Sequence, residues 1–296
     1  MHAIQIKGVS FAYDDLPRSK GTQAEAVIHD ISLEVPKGQF LCMIGHSGGG
    51  KSTLLRLLAG LSKPTEGQIL IDGTPISGPG LDRSIVFQDY SLFPWMRVRK
   101  NVEFGIEQAN KELARNLSKH EIAQIAEEHL RLVNMQDAQD KYPYQLSGGM
   151  QQRVAIARAL AMDTQIVLFD EPFGALDVKT RRSLQGLVSQ LWAKSEHGKT
   201  AIFVTHDIAE AIVLADRVVF MADGRITADF MVDLPRPRTM ELLAKSEEAR
   251  AIEQRLTALF YESGPIDAED ELDAPARDAM DEVALVHEGT GACPWR

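Results

Sequence analysis

The stretch Gly45-His46-Ser47-Gly48-Gly49-Gly50-Lys51-Ser52 decides how the rest of this 296-residue chain is read. It fits the pattern G-x-x-x-x-G-K-[ST], a loop whose backbone N–H groups converge on phosphate oxygens. Its neighbours supply the context that the pattern needs. Phe40-Leu41-Cys42-Met43-Ile44 is a continuous apolar run, as expected of a strand covered on both faces. Lys51 to Ala59 then places Leu54, Leu55, Leu57 and Leu58 at helical spacing. Strand, glycine turn and helix N-terminus in that order make a P-loop. The glycines let the main chain wrap an anion without a Cβ in the way, and the positive end of the helix adds to the attraction. The expected cradle for a nucleoside triphosphate is Gly45, His46, Ser47, Gly48, Gly49, Gly50, Lys51, Ser52 and Thr53. Lys51 would reach the β- and γ-phosphates, and Ser52 would offer its hydroxyl to Mg²⁺.

A second acidic signal agrees with this. Ile166-Val167-Leu168-Phe169 reads as a buried strand with Asp170-Glu171 at its carboxyl end, where ligands bind in open α/β sheets. As the Walker B element, Asp170 would hold Mg²⁺ through water. Glu171 is the expected general base, orienting and activating the attacking water.

Around these motifs the pattern is α/β. Short alternating strands are expected at Ile4 to Val9, Ile28 to Val35, Gln68 to Ile71 and Ser84 to Phe87, with a polar loop from Asp14 to Glu25. From about residue 90 to 160 the texture turns helical, with Ile122, Ile125, Ala126, His129, Leu130 and Val133 at helix period and Met150 to Leu160 continuing it. Strands and helices then alternate through helix Lys179–Lys194, strand Ala201–Val204, helix Ile208–Leu214 and strand Arg217–Met221, which suggests a mostly parallel sheet. Gly224 opens an edge hairpin, and a last helix is expected over Met240 to Tyr261. These limits divide the chain into a domain over 1–235, a helical segment over 236–263 and a tail over 264–296.

Bulk properties exclude several classes. Hydrophobic content of 44% and charged content of 25% are ordinary globular values. The most apolar run, Ala211 to Ala222, is broken by Asp216 and Arg217 and is too short for a membrane span of about 20 residues. Met1 to Gln5 shows no signal-peptide pattern. Cys42 and Cys293 form no disulfide framework and read as reduced thiols of a cytosolic protein. The net charge is −10, but residues 264–296 hold nine acids against Arg277 and Arg296 and so carry seven of those charges. The body is near neutral, which argues against a nucleic-acid binder. The tail lacks apolar periodicity and is expected to be disordered, with autoinhibition as the other reading.

Leu146-Ser147-Gly148-Gly149-Met150-Gln151 precedes a helix and matches the signature motif of ATP-binding-cassette (ABC) ATPases. The chain therefore resembles that family over residues 3–235. The resemblance implies a RecA-like P-loop NTPase core with an antiparallel β subdomain, an inserted helical subdomain, and ATP and Mg²⁺ as cofactors. It implies that Ser147, Gly148, Gly149 and Gln151 bind the γ-phosphate held by a partner's P-loop, so that two chains sandwich ATP head to tail. Gln88 resembles the Q-loop glutamine, which contacts Mg²⁺ and the attacking water. Gly174-Ala175-Leu176-Asp177 resembles the D-loop, with Asp177 at the nucleotide interface, and His206 resembles the switch histidine. Tyr13 or Phe11 would stack on adenine. The segments Gly78 to Arg83 and Phe87 to Trp95 look like importer ATPases of the nitrate/sulfonate/taurine/bicarbonate type. The implied partners are a second ATPase subunit (the same chain or a close paralogue), integral membrane permease subunits docking near Gln88 to Trp95, and, indirectly, an extracytoplasmic solute-binding protein. The implied place is cytoplasmic, on the inner face of the membrane. A soluble ABC ATPase uncoupled from any permease is the alternative.

Overall fold

The computed structural model describes residues 2–13, 26–174, 176–193, 198–236, 238, 239, 243 and 245–262. The expectations for the loop from Asp14 to Glu25, for Ala175 of the D-loop and for the acidic tail lie outside the described residues.

Two sheets form the body. The first pairs β1 (His2–Ala12), β2 (Ala26–Pro36), β4 (Glu66–Ile71) and β5 (Thr74–Pro75) in the order β2-β1-β4-β5, all antiparallel. The second has six strands in the order β10-β9-β3-β8-β7-β6. They are β3 (Phe40–Ile44), β6 (Arg83–Val86), β7 (Ile166–Asp170), β8 (Thr200–Thr205), β9 (Arg217–Ala222) and β10 (Arg225–Met231). All are parallel except the β9–β10 edge hairpin.

Strand periodicity explains why the central runs are apolar throughout. Successive side chains point to opposite faces. Phe40, Cys42 and Ile44 of β3 and Phe169, Phe203 and Phe220 of β7, β8 and β9 enter one core, with helices α4 (Gly148–Ala161), α5 (Val178–Ala193), α6 (Ile208–Leu214) and α7 (Glu247–Glu262). Leu41, Met43, Leu168, Val204 and Val219 enter the other, with α1 (Lys51–Leu58) and the antiparallel sheet. Both faces are covered, so every residue of β3 and β8 is buried.

A separate helical core joins α2 (Val98–Glu112), α3 (Lys119–Leu132) and α4 through residues such as Val102, Ile106, Ala126, Leu130 and Val154. Ser118 starts α3 with a capping box, its hydroxyl accepting from the Glu121 N–H while the Glu121 carboxylate accepts from the Ser118 N–H. Buried Asn101 anchors α2 to the segment before it, accepting from the Phe93 N–H at 2.8 Å and donating to the Met96 carbonyl at 3.0 Å.

The last helix runs over Glu247–Glu262, where the Ser246 hydroxyl accepts the Ala249 N–H and fixes the N-terminus; the expected start at Met240 lies outside the described residues. Its Ala249 and Leu256 are buried in the same core as β3, so residues 247–262 pack as part of the body. Among the described residues no helix is long and apolar enough to cross a membrane.

Candidate active site

Strand register assembles the site. Ile44 of β3 pairs with Thr205 of β8, Val204 with Asp170 of β7, and Phe169 with Val86 of β6. The residues that follow (Gly45, His206, Glu171 and Gln88) therefore leave the carboxyl edge of four adjacent parallel strands, where this kind of sheet binds ligands.

The loop between β3 and α1 is held open by two glycine requirements. Gly45 has φ +152° and a Cβ there would run into the Met221 carbonyl of β9. Gly50 has φ +91°, with Ile28 and the Val27 carbonyl against it. Lys51 is buried, and its Nζ donates to the carbonyls of Gly45 at 2.7 Å and His46 at 2.6 Å. Burial lowers the ammonium pKa, against the opposing pull of Glu171 and Asp170. An ammonium has three donors, so two carbonyls leave one N–H for an anion.

Ser52 Oγ donates to Asp170 Oδ1 at 2.7 Å. Burial raises the Asp170 pKa, and the Ser52 hydrogen bond opposes it. A hydroxyl beside a carboxylate is a hard-oxygen donor set. It suits Mg²⁺, which takes one or two protein groups and completes its shell with phosphate and water. Among the described residues no group of three or more His, Cys, Asp or Glu that could hold a metal ion occurs.

Glu171 adopts φ +42°, a left-handed conformation that costs an ordinary residue about 1–2 kcal/mol. Its N–H donates to the Val204 carbonyl at 3.1 Å, and its carbonyl accepts the Gly174 N–H at 3.3 Å. This turn aims the carboxylate at His206, with Oε2 3.2 Å from Nδ1. The hydrogen bond lowers the Glu171 pKa and raises that of His206, so the pair favours carboxylate beside imidazolium.

The loop bearing His206 is itself fixed from behind. Thr205 Oγ1 donates to buried Glu210 at 2.7 Å and accepts the Asp207 N–H at 3.0 Å. Gln185 donates to the other Glu210 oxygen at 3.1 Å. Burial and then Asp207 push the Glu210 carboxyl up to about 7. Arg181 of α5 reaches Asp207 at 3.4 Å and the Leu176 carbonyl at 3.5 Å, joining the D-loop to this cluster.

The family model described as ABC transporter matches residues 28–174. An ABC transporter ATP-binding protein of Methanocaldococcus jannaschii is 50% identical over 71% of this chain and 77% of its own length. The chain belongs to the ABC transporter family. Within that family, the nitrate import ATP-binding protein NrtD of Synechococcus elongatus is 46% identical over 79% of this chain and 84% of its own. The bicarbonate transport ATP-binding protein CmpC of the same organism is 49% identical over 75% of this chain but only 33% of its own length. A solved dimeric ATP-binding cassette in a post-hydrolysis state, bound to ADP and Pi, aligns with a TM-score of 0.68 at 32% identity. That alignment covers 78% of this chain and all of the solved one. The chain is an ABC ATPase with the P-loop NTPase fold of those cassettes.

This ABC chain gathers most of the expected residues. Tyr13 OH lies 3.1 Å from Thr53 Oγ1 at the start of α1. Phe11 meets Tyr13 edge to face at 4.8 Å but is itself buried, leaving only Tyr13 with a ring surface to offer. Gln88 is exposed in the turn after β6. The signature residues sit apart. Ser147 caps α4, its hydroxyl accepting the Met150 N–H at 3.4 Å, and Gln151 turns back to the Leu146 carbonyl. Gly149 lies against Leu176 and Thr180, and Gly148 against Tyr90. None of these contacts reaches Gly45 to Ser52. Asp177 caps α5 through the Thr180 N–H at 3.0 Å, and that bonding lowers its pKa. Sequence reading missed Arg181, Gln185 and Glu210, because nothing local distinguishes a helical glutamate turned inward from one turned out. It also missed Phe260 of α7, which touches His46.

Proposed function

We propose that this chain is the energy-supplying subunit of an importer for a small anion of the nitrate or bicarbonate kind, acting as a head-to-tail pair that encloses ATP at two shared sites. One observation carries the pairing: the P-loop, Asp170, Glu171 and His206 converge at one sheet edge, while the signature residues contact the helical layer, the D-loop and Tyr90, and among the described residues none of these contacts reaches Gly45 to Ser52. Each copy thus presents half of a site and lacks the other half, an isologous two-fold arrangement. The names of the relatives NrtD and CmpC support the solute class.

In this reading the Gly45–Thr53 backbone and Lys51 bind the phosphates, and Tyr13 stacks on the base. Ser52 and Asp170, with Gln88, hold Mg²⁺, which supplies charge neutralisation at the phosphates when bound. Glu171 takes the proton of the attacking water. His206 keeps that carboxylate aimed and lends positive charge beside the γ-phosphate. Ser147, Gly148, Gly149, Gln151 and Asp177 of the second copy close the site.

The motion passes to a permease through the segment after Gln88. Arg158 of α4 holds this segment, donating to the Ser91 carbonyl at 2.9 Å. The Phe93 and Trp95 rings meet within it at 5.6 Å, tilted by 48°, and Trp95 remains 69% exposed. Such an aromatic suits a protein partner at the inner membrane face. The near-neutral body argues against a nucleic-acid partner, and in this reading the solute is chosen by the permease and its extracytoplasmic binding protein. The test is co-purification with the permease and ATP-driven uptake. Trp95→Ala should abolish both while leaving ATP binding intact, and retained uptake in that variant would refute the docking site.

A further inference from the structure

The helix α7 ends on the phosphate loop. His46 Nε2–H donates to the Phe260 carbonyl at 2.8 Å, and the two rings meet edge to face at 4.9 Å and 80°. Phe260 also meets Phe220 of β9 edge to face, at 5.0 Å and 88°. Phe220 pairs with Ile44, the residue that precedes the loop. The Phe260 ring thus lies against both the strand that backs the loop and a residue of the loop itself. The helix is seated along its length: Ala249 and Leu256 are buried, and the Arg255 guanidinium lies 4.7 Å over the Phe230 ring of β10.

His46 is held from two directions. Its side chain is bonded to α7. Its carbonyl accepts from Lys51 Nζ at 2.6 Å and from the Gly49 N–H at 3.2 Å. Those last two bonds define the turn of the loop and the position of the ammonium meant for phosphate. A side chain pinned in one rotamer restricts the backbone that carries it, so releasing His46 from Phe260 loosens the residue whose carbonyl holds both.

From this geometry we infer that Phe260 is a positioning residue for nucleotide binding. Through His46, α7 holds the phosphate loop in its binding shape, so seating of the C-terminal helix and occupancy of the nucleotide site favour each other. The inference rests on the reading of Gly45 to Ser52 as the nucleotide cradle. Its sign follows from preorganisation, since a loop already ordered loses less freedom when the ligand arrives. Linkage makes the effect reciprocal.

The experiment uses the full chain and ADP with Mg²⁺, read by calorimetry and by amide hydrogen exchange. Phe260→Ala and His46→Ala should each weaken ADP binding by about five- to tenfold, the scale of one hydrogen bond or ring pair. The double variant should bind no worse than His46→Ala alone, because His46→Ala already removes both the hydrogen bond and the ring contact, whereas Phe260→Ala removes the ring and keeps the main-chain carbonyl. Phe260→Tyr, which keeps the ring, should restore affinity to within about twofold. In the wild type, ADP should slow amide exchange over 247–262, and in His46→Ala it should not. A purely structural role for Phe260 would lower stability without that nucleotide-dependent protection. Where Phe260→Ala unravels α7 outright, His46→Ala carries the test, because it leaves the helix packing in place. Wild-type ADP affinity in His46→Ala, or exchange over α7 indifferent to ADP, overturns the inference. A wild-type chain that binds no ADP at all would instead overturn the cradle reading beneath it.

Discussion

Glu171 combines a left-handed backbone with a carboxylate bonded to His206. Strain of this kind persists only where the surroundings over-determine it. Here the Val204 and Gly174 backbone bonds do so. The lowered pKa keeps Glu171 ionised at neutral pH, the state a proton acceptor requires. Glu171→Gln preserves the shape and removes the basicity. It should bind ATP normally and lose turnover by roughly 10²–10⁴-fold, the usual range for a general base. Single-turnover hydrolysis checks this, and a rate within a few-fold of wild type would rule Glu171 out. Lys51→Ala removes the buried ammonium of the proposed phosphate cradle. Hydrogen bonds to charged groups contribute about 1.5–3 kcal/mol, so affinity for ATP should fall on the order of 10- to 100-fold. Equilibrium binding at fixed Mg²⁺ measures it, and unchanged affinity would remove Lys51 from the cradle.

The α6 cluster behind His206 explains how this exposed side chain is kept in place. Glu210 is the centre of that cluster and is titratable near neutrality, with its carboxyl raised from 4.5 to about 7 by burial and Asp207. Between those two values the folded chain keeps a proton that the unfolded chain has released, so stability falls as pH rises through this window and is fully retained below about 4.5. Glu210→Gln mimics the protonated form. Relative to that variant, the wild type should lose on the order of 1–3 kcal/mol between pH 5 and pH 8. Urea midpoints at the two pH values decide it, and parallel pH profiles would show that Glu210 stays ionised. The same cluster marks where sequence reading stops. Phe40–Ile44 and Ile208–Leu214 are legible to the residue because their causes are local: an unbroken apolar run ending in glycine, and a helix capped by Asp207. The convergence of Gly45, Glu171, Gln88 and His206 is legible because each follows a buried strand of one parallel sheet. Arg181 on Asp207, or His46 on Phe260 across 214 positions, depends on how elements pack and leaves no trace in spacing. The start of α7 depended on Ser246, which is one of many serines until the fold shows which of them faces an open helix end.

At the scale of the whole molecule, the arrangement makes a claim about copies rather than residues. If each nucleotide is shared, a chain with a broken P-loop still owns a sound signature, and a chain with a broken signature still owns a sound P-loop. Lys51→Ala and Ser147→Arg homodimers should both be inactive. A mixed dimer regains one complete site, made from the P-loop of the Ser147→Arg chain and the signature of the Lys51→Ala chain, while its second site carries both lesions. Random mixing yields half mixed dimers with one of two sites working, so an equimolar mixture should recover up to about a quarter of the wild-type rate. Recovery should grow with protein concentration, since it requires association. A site complete within one chain gives no recovery at any ratio, and steady-state ATPase measurements on the two purified variants, alone and mixed, separate the two architectures.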